Sequence, residues 1–141
     1  MSLQAIKAAQ ITVGYCGVYT VGLMSQVYHK KRLHSQAKKE GKTFDRYKSP
    51  GMFPYDRLTA NFLEWMPVFL GPLWSMAATG TLSDQSVRMA WAYVGFRSLY
   101  VGLVWRFGVV TTGYNPSLWA STFPGYVCLL YLLGAAVRGV F

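Results

Sequence analysis

Arg57, Asn61 and Glu64 stand at i, i+4 and i+7 in this sequence. On a helix that spacing places a guanidinium, an amide and a carboxylate on one face. A second set follows at Tyr93, Arg97 and Tyr100, where both phenols share a face with the arginine at i−4 and i+3. Two chemistries fit such sets. Glu64 and Arg97 can pair inside a bundle, or across a subunit interface, and fix its packing. Alternatively, Asn61, Glu64, Arg97 and Tyr100 can line a wet polar cavity that binds a charged small molecule.

The elements that must position these residues are apolar. The chain has 141 residues, 52% of them hydrophobic and only 13% charged. Long apolar stretches with so few charges point to lipid. The expected architecture is an all-α integral membrane protein, a single domain of four transmembrane helices over residues 1–141. The spans are placed at about 8–28, 57–79, 85–110 and 118–140. Gly14, Gly17 and Gly22 line the first with small residues that let helices approach closely in lipid. Pro67 and Pro72 fall inside the second, where neighbouring helices can satisfy the freed carbonyls. Gly80 to Asp84 reads as a tight turn, with Ser83 or Asp84 capping the third helix. Gly113-Tyr114-Asn115-Pro116 reads as the next turn, and Tyr114, Trp119 and Tyr126 suit an interfacial belt near it. If spans two and three are antiparallel, Glu64 and Arg97 lie at similar depth, each roughly 10–13 Å in from the same surface at 1.5 Å per residue. A lone ionised carboxylate at that depth wants a partner.

Net charge is +9, and eight of the fourteen Lys and Arg fall between Lys30 and Lys48. A basic run between two apolar spans follows the positive-inside rule, so the 29–56 loop faces the positive-inside compartment. Both termini and the 80–86 turn then face the other side. No groove-reading motif accompanies the charge, so nucleic acid is not an expected partner. Cys16 and Cys128 both lie within apolar spans and read as buried thiols, not as a disulfide framework. His29 and His34 read as solvated surface residues, because five-residue spacing does not place a metal pair on one helical face. No metal site is expected. No cleavable signal peptide is evident, since the first span is long enough to remain as an anchor.

At these residues the chain resembles the MAPEG superfamily, the membrane-associated proteins in eicosanoid and glutathione metabolism. The stretch from Asp56 to Leu70, DRLTANFLEWMPVFL, is similar to that family's second-helix signature. Its frame is an acidic residue, Arg, Asn at +4, Glu at +7 and Pro at +10, all filled here by Asp56, Arg57, Asn61, Glu64 and Pro67. Phe96-Arg97-Ser98-Leu99-Tyr100 is similar to the family's Arg-x-x-Tyr. Ser121 to Tyr126, STFPGY, resembles a stretch of less-characterised members. The resemblance implies a homotrimer with glutathione in a polar pocket between adjacent subunits. Carried over by position, Arg57, Asn61, Glu64, Arg97 and Tyr100 would hold it, with Tyr93 beside them. Arginine suits its carboxylates bidentately, and Glu64 suits its ammonium. A nearby cation would activate its thiol as thiolate.

The chain departs from the pattern of the family's transferases at three places. Val104 stands where they carry a second Tyr. Val109-Val110-Thr111-Thr112-Gly113 holds no cation where they carry a thiolate-stabilising Arg, leaving Arg106 as the nearby catalytic candidate. Leu58 replaces the Ala usually next to the signature Arg. Two functions therefore compete. One is a glutathione transferase or peroxidase acting on lipophilic substrates from the bilayer. The other is a non-catalytic accessory or structural subunit of a larger membrane complex. A transporter is disfavoured, because no internal repeat is present. The membrane would be the endoplasmic reticulum for a typical family member. An inner membrane of a mitochondrion or plastid is the alternative.

Overall fold

The computed structural model describes residues 2–109 and 116–140. Within them the chain is four α-helices and no strand: α1 (Leu3–Lys39), α2 (Phe53–Thr79), α3 (Asp84–Phe107) and α4 (Pro116–Val140). Residues 111–115 of the expected turn, Tyr114 among them, lie outside the described residues.

Local chemistry sets the helix ends. The Ser2 hydroxyl accepts from the Ala5 amide at 3.2 Å and starts α1. The first part of the basic loop does not leave the helix. It adds turns to α1, which reaches 37 residues, or about 55 Å at 1.5 Å per residue. Its straight-chain Lys, Arg and Gln residues favour helix. Pro54 sits in the first turn of α2, where a missing N–H costs nothing. Gly80 closes α2 in the left-handed region at φ 76°, a conformation that favours glycine. Ser83 caps α3, accepting from the Ser86 amide at 3.1 Å. Pro67, Pro72 and Pro124 stay inside their helices.

The helices form a square. α3 packs on α4, α4 on α2, α2 on α1 and α1 on α3, while α2 and α3 meet across the diagonal at few points. Tyr15, Phe62, Phe69 and Tyr93 fill the centre with rings 4.5–6.1 Å apart. Gly14 lets the Trp91 ring approach α1: an added Cβ would meet it at 2.8 Å. One end of the bundle is clasped by Lys7 Nζ to Asp84 Oδ1 at 2.7 Å, with Gln4 Nε2 donating to the Gly80 carbonyl at 2.8 Å. At the other end Asp56 accepts from Arg46 at 2.7 Å and from Gln26 at 2.6 Å, pinning the 40–52 loop to both α1 and α2.

The expectation of four strongly apolar spans is corrected in part. Among the described residues only Pro116–Gly139 is by itself long and apolar enough to cross a membrane, with mean hydropathy 1.5. Charges and amides lower the other three: Lys7 and the basic run on α1, Arg57, Asn61 and Glu64 on α2, and three arginines on α3. Their outward faces are nonetheless apolar. Val13, Val21, Met24, Leu63, Val68, Leu99 and Trp105 are exposed, as are six large apolar residues along α4. That much uncovered apolar surface is foreign to a monomer in water.

Cys128 is buried as expected, but Cys16 is exposed on the outward face of α1. The histidines are not simply solvated. His29 stacks on Tyr55 at 3.8 Å, and His34 meets the Phe44 ring edge-on at 5.7 Å.

Candidate functional site

Arg97 is the centre of the polar constellation. It sits in the middle of α3 and is 5% exposed. Its Nε donates to the Tyr93 hydroxyl at 2.8 Å, one helical turn back. Its Nη1 donates to Asn61 Oδ1 on α2 at 2.6 Å. The guanidinium carbon lies 5.0 Å from the Tyr93 ring, 5.5 Å from Phe62 and 6.0 Å from Tyr100. Aromatic faces thus carry part of the charge compensation that a carboxylate would otherwise supply. The Nη2 group is buried and has no hydrogen-bond partner among the described residues.

The expected Glu64–Arg97 pairing is not what forms within the chain. Glu64 turns outward and takes Arg57 of its own helix at 3.3 Å, both side chains about half exposed at 49% and 51%. The reason is helical phase. Asn61 and Glu64 are separated by about 60° around the axis at 3.6 residues per turn. Leu58 and Phe62 face the core, so Asn61 is carried toward α3 and Glu64 away from it. The diagonal placement of α2 and α3 leaves only the longer Arg97 side chain to span the gap.

Tyr100 joins the two halves. It is buried beside Arg97 and interacts electrostatically with Arg97, Arg57 and Glu64. Behind it α4 supplies Ser121, Thr122, Gly125 and Tyr126, which with Tyr93, Phe96, Arg97 and Tyr100 enclose about 10 Å³. That is room for about one water. Gly125 faces the Tyr93 ring, where an added Cβ would make an ordinary contact at 3.7 Å.

Arg106 does not enter this space. It is exposed in the last turn of α3, with its guanidinium 5.5 Å from the Phe107 ring. Val104, at the position of the second tyrosine, is buried in the apolar core. Of the stretch read as lacking the thiolate-stabilising cation, only Val109 is described.

Two contributors were missed from sequence. Phe62 faces Arg97, a contact that an apolar residue within the motif gave no sign of. Asp56 was read as part of a motif and not as the acceptor joining Gln26 and Arg46. An uncharged glutamine within the first span was the available signal for that pairing.

The MAPEG family model matches residues 8–138, nearly the whole chain. This chain belongs to the MAPEG family. No individual curated protein and no solved structure matches it. Family membership makes this MAPEG protein a membrane protein, in accord with its apolar outer faces. The polar constellation accordingly lies within a bundle meant for lipid, where buried charges are costly.

Proposed function

We propose that this MAPEG protein binds glutathione at Arg97, Asn61, Tyr100, Arg57 and Glu64, and presents its thiol to lipophilic electrophiles or peroxides from the bilayer. The observation that carries the proposal is the buried, unpartnered Nη2 of Arg97. A guanidinium with an unused pair of donors and no carboxylate among the described residues is left to bind a water or an anion. Glutathione offers carboxylates for Arg97 and Arg57 and an ammonium for Glu64. Tyr100 is placed to donate a further hydrogen bond.

The donor set fits the ligand, but the enclosed volume does not. The roughly one-water space beside Arg97 cannot take a tripeptide. The ligand would lie on the open side of the constellation, against the half-exposed Arg57–Glu64 pair. A neighbouring copy could supply the missing wall there, as in the homotrimer with shared sites that the family resemblance implies. Glutathione supplies the thiol nucleophile. The chain's own contribution is to fix its carboxylates and amine so that the sulfur faces the membrane side of the site.

A second reading is favoured by Arg106. Its outward position leaves Arg57, already paired with Glu64, as the nearest exposed cation among the described residues, and a paired cation does less to lower a thiol pKa. On that reading the protein binds an anionic ligand or partner without catalysis, as an accessory subunit of a larger complex.

Titration calorimetry of the detergent-solubilised full chain with glutathione decides the binding claim, with Arg97→Ala as control. Saturable binding lost in Arg97→Ala is the expected result. Absence of binding by a folded wild-type protein overturns it. A conjugation assay with a lipophilic electrophile then separates the two readings, since only the first predicts turnover.

A further inference from the structure

The five acidic side chains of this chain are all engaged. Glu40 pairs with Lys42, Asp45 with Lys48, Asp56 with Arg46, Glu64 with Arg57 and Asp84 with Lys7. The outer turns of α1 carry five further cations, Lys30, Lys31, Arg32, Lys38 and Lys39, and no carboxylate among the described residues pairs with them. A second copy of the chain brings no spare acid to neutralise them. It brings the same excess of +9.

Directly below that charge lies an apolar groove between α1 and α3. Thr20, Val21, Met24, Ser25, Tyr28, His29 and Trp105 line it around about 440 Å³. It follows α1 from Thr20 to His29, roughly 14 Å at 1.5 Å per residue. Arg32 stands one turn beyond Tyr28, and Lys31 lies seven residues from Met24, so both cap the groove on its own face. Tyr28 and Trp105 are amphipathic rings of the kind that settle at headgroup level. The depth agrees. Lys7 marks the opposite end of the bundle at its pair with Asp84, and Lys31 is about 36 Å along the helix from it, close to the thickness of a hydrocarbon core.

We propose that this groove is a binding site for an anionic phospholipid, one acyl chain lying between α1 and α3 and the headgroup phosphate held by Lys31 and Arg32. The site is separate from the Arg97 constellation and does not depend on glutathione binding. Each basic side chain near the surface weights an anionic lipid by about fivefold. A single acidic lipid held in this way would also fix the α1 extension on which the basic loop is mounted.

The test uses the full chain in phosphatidylcholine bilayers, with either phosphatidylserine or phosphatidylcholine carrying brominated acyl chains added at equal mole fraction. Quenching of Trp105 is read as the difference between wild type and Trp105→Phe. The expected result is that brominated phosphatidylserine quenches at about a twenty-five-fold lower mole fraction than brominated phosphatidylcholine. In Lys31→Gln/Arg32→Gln that ratio should fall close to one. Equal quenching by the two lipids in wild type overturns the proposal, as does quenching by neither, which would mean another protein surface covers the groove. A ratio unchanged by the double substitution overturns it too. Should the double variant fail to fold, loss of the wild-type ratio in molar salt takes its place, and persistence of the ratio there overturns the proposal.

Discussion

Arg97 is held by an amide, a phenol and three aromatic rings, with one donor arm left over. A buried cation satisfied only in part is a poor stabiliser. Replacing it with an apolar residue of similar length removes that cost along with the anion site. Because the substitution also leaves Asn61 Oδ1 and the Tyr93 hydroxyl without that donor, Arg97→Met should stay within about 2 kcal/mol of wild type in stability while losing glutathione affinity. Glu64→Gln should leave stability within about 0.5 kcal/mol, because an ion pair this exposed is screened, and should still weaken binding. Melting curves of both variants check this. A large loss of stability in Arg97→Met would mean that the charge is a structural tie after all.

At the scale of elements, the extension of α1 is attached to α2 through a stacked ring pair and the Asp56 clasp. His29 lies on Tyr55, and its pKa is lowered from 6.5 by burial and then by nearby Arg32. The neutral ring is the form the fold favours. The contribution of this stack is thus present above pH 6.5 and lost as pH falls through the depressed folded value. Wild type should lose melting temperature between pH 7 and pH 5 relative to His29→Phe, which cannot protonate. Equal losses in both proteins would show that the stack does not report on pH.

At the scale of the whole molecule, the square of helices turns its apolar faces outward and leaves the Arg57–Glu64 side of the polar site open. If a second copy closes that side, glutathione binding requires assembly. Dispersing the protein to monomers in excess detergent should abolish the calorimetric signal while helical content stays the same. Undiminished binding by a monomer would place the whole site within one chain.

The sequence by itself determined the membrane class, the four helices and the family. Composition, turn punctuation and the second-helix frame are local properties, and each survives without knowledge of neighbours. It also placed Arg57, Asn61, Glu64, Tyr93, Arg97 and Tyr100 in one region, because helical spacing and antiparallel depth are simple arithmetic. Partner choice was decided only by the tertiary structure. Whether Arg97 meets Asn61 or Glu64 depends on a rotation of about 60° about the α2 axis, and that rotation is set by how Leu58 and Phe62 pack into the core. The basic run's straight-chain residues made an extension of α1 legible, but not its reach to Lys39, because charge marks where a membrane ends and not where a helix does. The exposure of Arg106 and Cys16 likewise follows from which helices are adjacent in the square, a long-range fact that no local spacing contains.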